Sequence, residues 1–177
     1  FLSGRAGDEP DKAESLKSAA EGAFDQATDL FKGVADSLEE KLDDMSGDDI
    51  ESQKGMMMDW NAKRARFYES VCHYNKGILY EAGGAEREGT LEKAIENLTD
   101  FVWDNEDNIL GAYAYLYLGL SKKALDQPDE ALEFLKVVCS SYPIPDQADA
   151  ANYTNWTDLY LQGYFKLGEY CNELGMH

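Results

Sequence analysis

A chain of 177 residues is long enough for one helical domain with a core of its own, here carrying an N-terminal extension. Its 35 Asp and Glu against 16 Lys and Arg give a net charge of −19, and no basic run offsets it locally. Phosphate backbones and anionic lipid are therefore repelled, which removes nucleic acid as a partner. The longest uncharged stretch, Ile109 to Ser121, is studded with Tyr and falls short of the roughly 20 apolar residues of a membrane span. The acidity itself has two readings, a solvated surface or a site for a basic partner.

Residues 1 to 10, with Gly4, Gly7 and Pro10 among charges, read as a lead-in. The chain opens at Phe1, so an upstream signal or anchor stays open as an expectation, and the compartment with it. From about Asp11 to Met45, apolar residues recur at Leu16, Ala20, Ala23, Ala27, Leu30 and Val34 in a 4-3 alternation that slips to Leu38 and Leu42. This predicts a long amphipathic helix. Its seam is rich in Ala, and Gly22 and Gly33 each cost about 1 kcal/mol relative to Ala, so the helix needs something to lie against.

Ser46 to Asp49 predicts a turn, with Asp48 capping a second long helix, Glu51 completing the capping pattern, and Gly83-Gly84 ending the helix after Ala82. Met57, Trp60, Phe67, Val71, Tyr74 and Ile78 are expected along one side, with the run Met56 to Met58 as core filler. A loop from Ala85 to Gly89 leads to Thr90 as the cap of a helix carrying Leu91, Ala94, Ile95, Leu98 and Phe101.

Residues 112 to 143 carry the most informative pattern. Counting Ala112 as position 1, Leu118 and Gly119 fall at 7 and 8, Asp129-Glu130-Ala131 at 18 to 20, and Pro143 at 32. Gly119 and Ala131 remove bulk where two antiparallel helices would cross, and Pro143 cannot continue a helix. The stretch resembles a tetratricopeptide repeat. A degenerate repeat pairs 70–82 with 90–104, with Gly77 matching Gly119 and Ala94 matching Ala131 across an insertion of about five residues. A third begins near Thr154, with Gly168 at its interhelical turn, Glu173 in the usual small-residue position, and a long connection from Ile144 to Tyr153. The resemblance implies an all-α fold of antiparallel helix pairs in a right-handed solenoid over 70–177, preceded by two long helices over 11–69. The phrase from Phe134 to Ala151 and the Gly163 to Gly168 spacing are most similar to repeats of bacterial cell-envelope proteins, leaving envelope, periplasm and cytoplasm all open.

Cys72, Cys139 and Cys171 form no CxxC pair and have no His at ligand spacing, so they read as structural thiols. Cys72 and His73 are sequence neighbours, about 100° apart on a helix, and make no dyad by themselves. The runs Asp43-Asp44, Asp48-Asp49 and Asp104 to Asn108 lack the ligand alternation of a calcium loop and read as helix-end and turn chemistry. The Asn-x-Ser/Thr triplets at Asn97, Asn152 and Asn155 read as chance. The chain is thus read as non-enzymatic, with no cofactor and no metal.

Family members line a concave groove with the first helix of each repeat. The resemblance assigns that role here to Tyr113, Leu116, Leu120, Lys123 and Ala124, to Val71, Tyr74, Ile78, Glu81 and Ala82 before them, and to Asn155, Asp158, Gln162, Phe165 and Lys166 after them. Leu116 and Leu120 stand where repeats that clamp a terminal carboxylate use Asn and Lys, which disfavours such a ligand. A helix apolar on every side, such as Ile109 to Leu120, must be covered on every side, either by the chain's own first helix or by a partner. The implied function is a protein-interaction module, an adaptor or assembly subunit, taking a basic or apolar helix or peptide. Two alternatives stand beside it: homo-oligomerisation through the 4-3 helix, and a groove that binds a small ligand for a transporter or enzyme.

Overall fold

The computed structural model describes residues 10–141 and 153–176. Seven helices and no strand occur among the described residues, so the protein is all-α. In chain order they are α1 (Pro10–Asp43), α2 (Gly47–Ile50), α3 (Gln53–Gly77), α4 (Ala85–Asn105), α5 (Ile109–Ala124), α6 (Pro128–Ser140) and α7 (Tyr153–Glu173). The chain divides into two compact units, Phe1–Thr90 and Leu91–His177. The lead-in before Pro10, Pro143, and the connection up to Asn152 lie outside the described residues.

In the first unit α1 lies antiparallel along α3, the partner that its Ala-rich, Gly-interrupted sequence requires. Contacts run in reversed order: Lys17 sits over the Tyr80 ring, Phe31 stacks on Tyr68 at 5.5 Å, and Arg66 reaches Glu39 at 2.9 Å. One edge of the hairpin is stitched by charge, with Arg66 among Asp36, Glu39 and Glu69, and Lys76 on Asp25. The hydrogen bonds that Arg66 donates to Glu39 and Lys76 donates to Asp25 raise both cations above their ordinary ranges.

The seam that meets α3 differs from the one expected. Ala35 is fully buried and Phe24, Thr28, Phe31, Leu38 and Leu42 are partly buried, themselves spaced 4-3, whereas Leu16, Ala23, Leu30 and Val34 of the expected seam are exposed. The sequence holds two neighbouring heptad stripes, and the one with the Phe residues has more area to bury.

The expected cap also shifts. Ser46 caps the single turn α2, accepting the Asp49 N–H, and Ser52 caps α3, accepting the Gly55 N–H at 3.2 Å, so α3 starts at Gln53 and ends at Gly77. Gly55 makes this corner fit: a Cβ there would stand 2.3 Å from the Ile50 carbonyl oxygen. Along α3 the buried residues are largely small, Ala62, Ala65, Ser70 and Cys72 with Phe67, while Met56, Met57 and Trp60 are exposed. The methionine run therefore does not fill the core. Thr90 is no cap either, because α4 begins five residues earlier and the Thr90 hydroxyl donates back to the Glu86 carbonyl within it.

In the second unit Leu91, Ala94, Leu98 and Phe101 are buried along α4, as their spacing predicts, joined by Val102, while Ile95 is only partly buried. Asn108 caps α5 by accepting the Leu110 and Gly111 N–H groups, and a Cβ on Gly111 would come 1.9 Å from the Asn105 carbonyl oxygen. Helices α5 and α6 pack together around Gly119, where a Cβ would stand 2.8 Å from Leu135 Cγ and 3.3 Å from the Ala131 oxygen. Between them Asp126 takes φ 57°, a left-handed turn that Asp tolerates, and Pro128 opens α6. Helix α7 packs on α6 at Gly163, whose Cβ would stand 2.8 Å from Val138 Cγ1. It runs unbroken through Gly168, so no interhelical turn lies there.

Candidate protein-interaction surfaces

Of the residues assigned to a partner groove, Val71, Tyr74, Ile78, Glu81 and Ala82 belong to the first unit and the other ten to the second. Val71 and Tyr74 are half-buried on α3, and Ile78 is exposed as its C-cap. In the second unit Leu116 is 2% exposed and shares one core with Ala112, Ala131, Leu132, Leu135, Val138, Leu159 and Tyr170. It is core, not contact surface, and residues of α6 and α7 share its cluster. Tyr113 and Leu120 are half-buried against the same cluster. Every side of α5 is thus at least partly covered, as its uniformly apolar sequence requires.

Lys123 is engaged within the unit. Its ammonium lies 2.8 Å from a Glu173 carboxylate oxygen and 4.8 Å from the Tyr170 ring centroid, tying the end of α5 to the end of α7. Glu173, at what the repeat pattern makes a small-residue position, is exposed and serves as the other half of that pair. Burial first, and then the charges of Asp126, Glu173 and Asp129, push the Tyr170 hydroxyl above the ordinary phenol range.

Asn155, Asp158 and Gln162 are exposed on α7. Phe165, also assigned to the groove, is 62% exposed, and beside it stand two side chains that the repeat positions do not include, Leu161 at 61% and Tyr164 at 48%. The opposite side of α7 supplies Leu159, Gly163 and Tyr170 to the packing on α6. Tyr160 and Tyr164 stack at 4.6 Å with their hydroxyls 3.1 Å apart, which fixes the orientation of the aromatic rim. Acidic Asp158 and Glu169 lie along the same helix, with Lys166 paired to Glu169 at 3.0 Å. The signal was present in the sequence as Leu161, Tyr164, Phe165 and Gly168 at helical spacing. It was hidden because α7 is apolar on two sides, and sequence alone does not say which side is covered.

Burial raises the Cys72 thiol above its ordinary range, with Glu69 adding in the same direction against a hydrogen bond from Thr28, and burial alone raises Cys139. Both are the opposite of an activated nucleophile. All three cysteines are free thiols. Among the described residues no group of three or more His, Cys, Asp or Glu could hold a metal ion, and no helix is long and apolar enough to cross a membrane. No protein-family model, no curated protein and no solved structure matches the chain.

Proposed function

We propose that the protein is a non-catalytic interaction module, an adaptor or assembly subunit built on tetratricopeptide-like helix pairs, whose second unit binds a protein segment across the outer face of α7. The observation that carries this reading is Leu161, Tyr164 and Phe165 standing exposed side by side on a helix whose other side is fully used in packing. Aromatic side chains bring large apolar area with few rotors, the character of residues that dominate protein contacts. The nearby Asp158, on a chain of net charge −19, favours a segment with apolar anchors and flanking Lys or Arg. The glycine-mediated crossing of α5 and α6 supports the repeat reading of the segment from Ala112 to Ser140.

The test compares the intact chain with Leu161→Glu/Phe165→Glu by capture from source lysate, followed by titration with the captured protein's purified segment. Both side chains are exposed, so circular dichroism should be unchanged while affinity falls at least about tenfold. Equal affinity of the two chains overturns the reading.

A further inference from the structure

The first unit carries a second apolar surface that neither its packing nor the proposed α7 contact uses. On α1, Leu16, Ala20, Ala23, Ala27, Leu30 and Val34 keep a strict 4-3 spacing, and Leu16, Leu30 and Val34 are 64%, 69% and 47% exposed. A 3.5-residue period stays on one side of a straight helix only by supercoiling, and its use is to meet another helix. The neighbouring stripe of α1 already does so against α3, and this one, with Ala20 and Ala27 partly buried and Leu16, Ala23, Leu30 and Val34 exposed, meets no helix along its exposed positions among the described residues. Beside it a shallow groove between α1 and α3 is lined by Phe31, Val34, Leu38, Arg64, Ala65 and Tyr68, opposite the edge stitched by Arg66 and Lys76.

Charge identifies the occupant. In a chain with 29% charged residues, the side of α1 that carries this seam has no charged residue from Leu16 to Ser37. A basic partner would find no acid on the seam to recognise, whereas an equally neutral helix face meets it without burying a charge. The seam of α1 is itself such a neutral heptad face. We infer that the protein self-associates through α1, the seam of one copy packing on the seam of a second.

The stripe is about 27 Å long at 1.5 Å rise per residue. Packed seam on seam, two copies bury on the order of 1,000 Å² in total, the lower end for a specific interface, so the dimer is weak and dissociates on dilution. Two chains of −19 repel one another, and screening that repulsion makes the dimer stronger in salt.

Sedimentation equilibrium of the full chain from about 1 µM to 1 mM, at about 20 and 300 mM salt, tests the inference. The expected result is a shift from monomer to dimer mass, at several-fold lower concentration in the higher salt. Ala23→Glu/Leu30→Glu should be monomeric throughout with unchanged helix content, and the milder Leu16→Gln/Leu30→Gln should weaken association about tenfold. Phe165→Glu on α7 should dimerise like the parent, which separates this contact from the one proposed for the second unit. Monomer mass at every concentration, a dimer indifferent to both double substitutions, or a dimer that salt dissolves would each overturn it.

Discussion

Cys72 shows how much a single residue's chemistry depends on what is laid over it. The sequence places it on a helix beside His73, and the structure buries it with Thr28 and Glu69 as neighbours. Burial holds the thiol protonated, so in the native chain Cys72 and Cys139 are expected to react with iodoacetamide at pH 7.5 at least about tenfold more slowly than in urea. The sign for stability follows from the raised folded-state pKa. The contribution is complete below the ordinary thiol range and is lost as the pH climbs through it, because the unfolded chain ionises first. Equal native and denatured rates would show that these helices do not shield the sulfurs. That the cysteines are structural was legible from their lack of ligand spacing. That Cys72 faces Thr28, 44 positions away, was not, because the heptad stripe of α1 that meets α3 is decided by competition between two stripes.

At the scale of elements, the glycines divide by what lies opposite them. Gly22 sits inside α1 with open space around the missing Cβ, so Gly22→Ala is expected to stabilise the chain by about 0.5–1 kcal/mol through helix propensity alone. At Gly111 a Cβ would collide with the Asn105 backbone, which cannot rotate away, and Gly111→Ala is expected to cost about 3 kcal/mol or more. Urea unfolding of the two variants checks both, and a neutral Gly111→Ala would mean that the α4 to α5 corner is looser than described. The helices themselves were legible in part: α1, α5 and α6 arise close to where the sequence pattern places them, while α4 begins five residues before its expected cap, within the expected loop. The caps were less so, since Ser46, Ser52 and Asp48 are all competent acceptors and only the corner at Gly55 selects the two serines. Gly168 misled for a related reason. A glycine reads as a turn until one sees that α7 continues on the packing of Leu159, Gly163 and Tyr170.

For the molecule as a whole the dominant quantity is charge. Arg66, Lys76, Lys122 and Lys123 are each spent on acids within their own unit, so the excess of 19 negative charges remains to repel across both. Raising salt from about 10 to 300 mM shortens the Debye length from about 30 Å to less than 10 Å. At low micromolar protein, the melting midpoint is expected to rise by several degrees over that range. A fall would show that the internal ion pairs outweigh the net repulsion, which thermal melts read directly.

The sequence by itself determined the all-α class, the acidic character, the absence of an apolar stretch long enough to span a membrane, and the small residues at the α5 and α6 contact, because each rests on composition or on spacing within one or two neighbouring helices. Tertiary structure alone decided which heptad stripe of α1 is covered, that Leu116 is core, that Lys123 is tied to Glu173, and that Leu161 and Tyr164 stand outside beside Phe165. Those are choices between faces of comparable apolarity. A local pattern sets how many faces a helix has to bury, and only the packing of one helix on another sets which of them is buried.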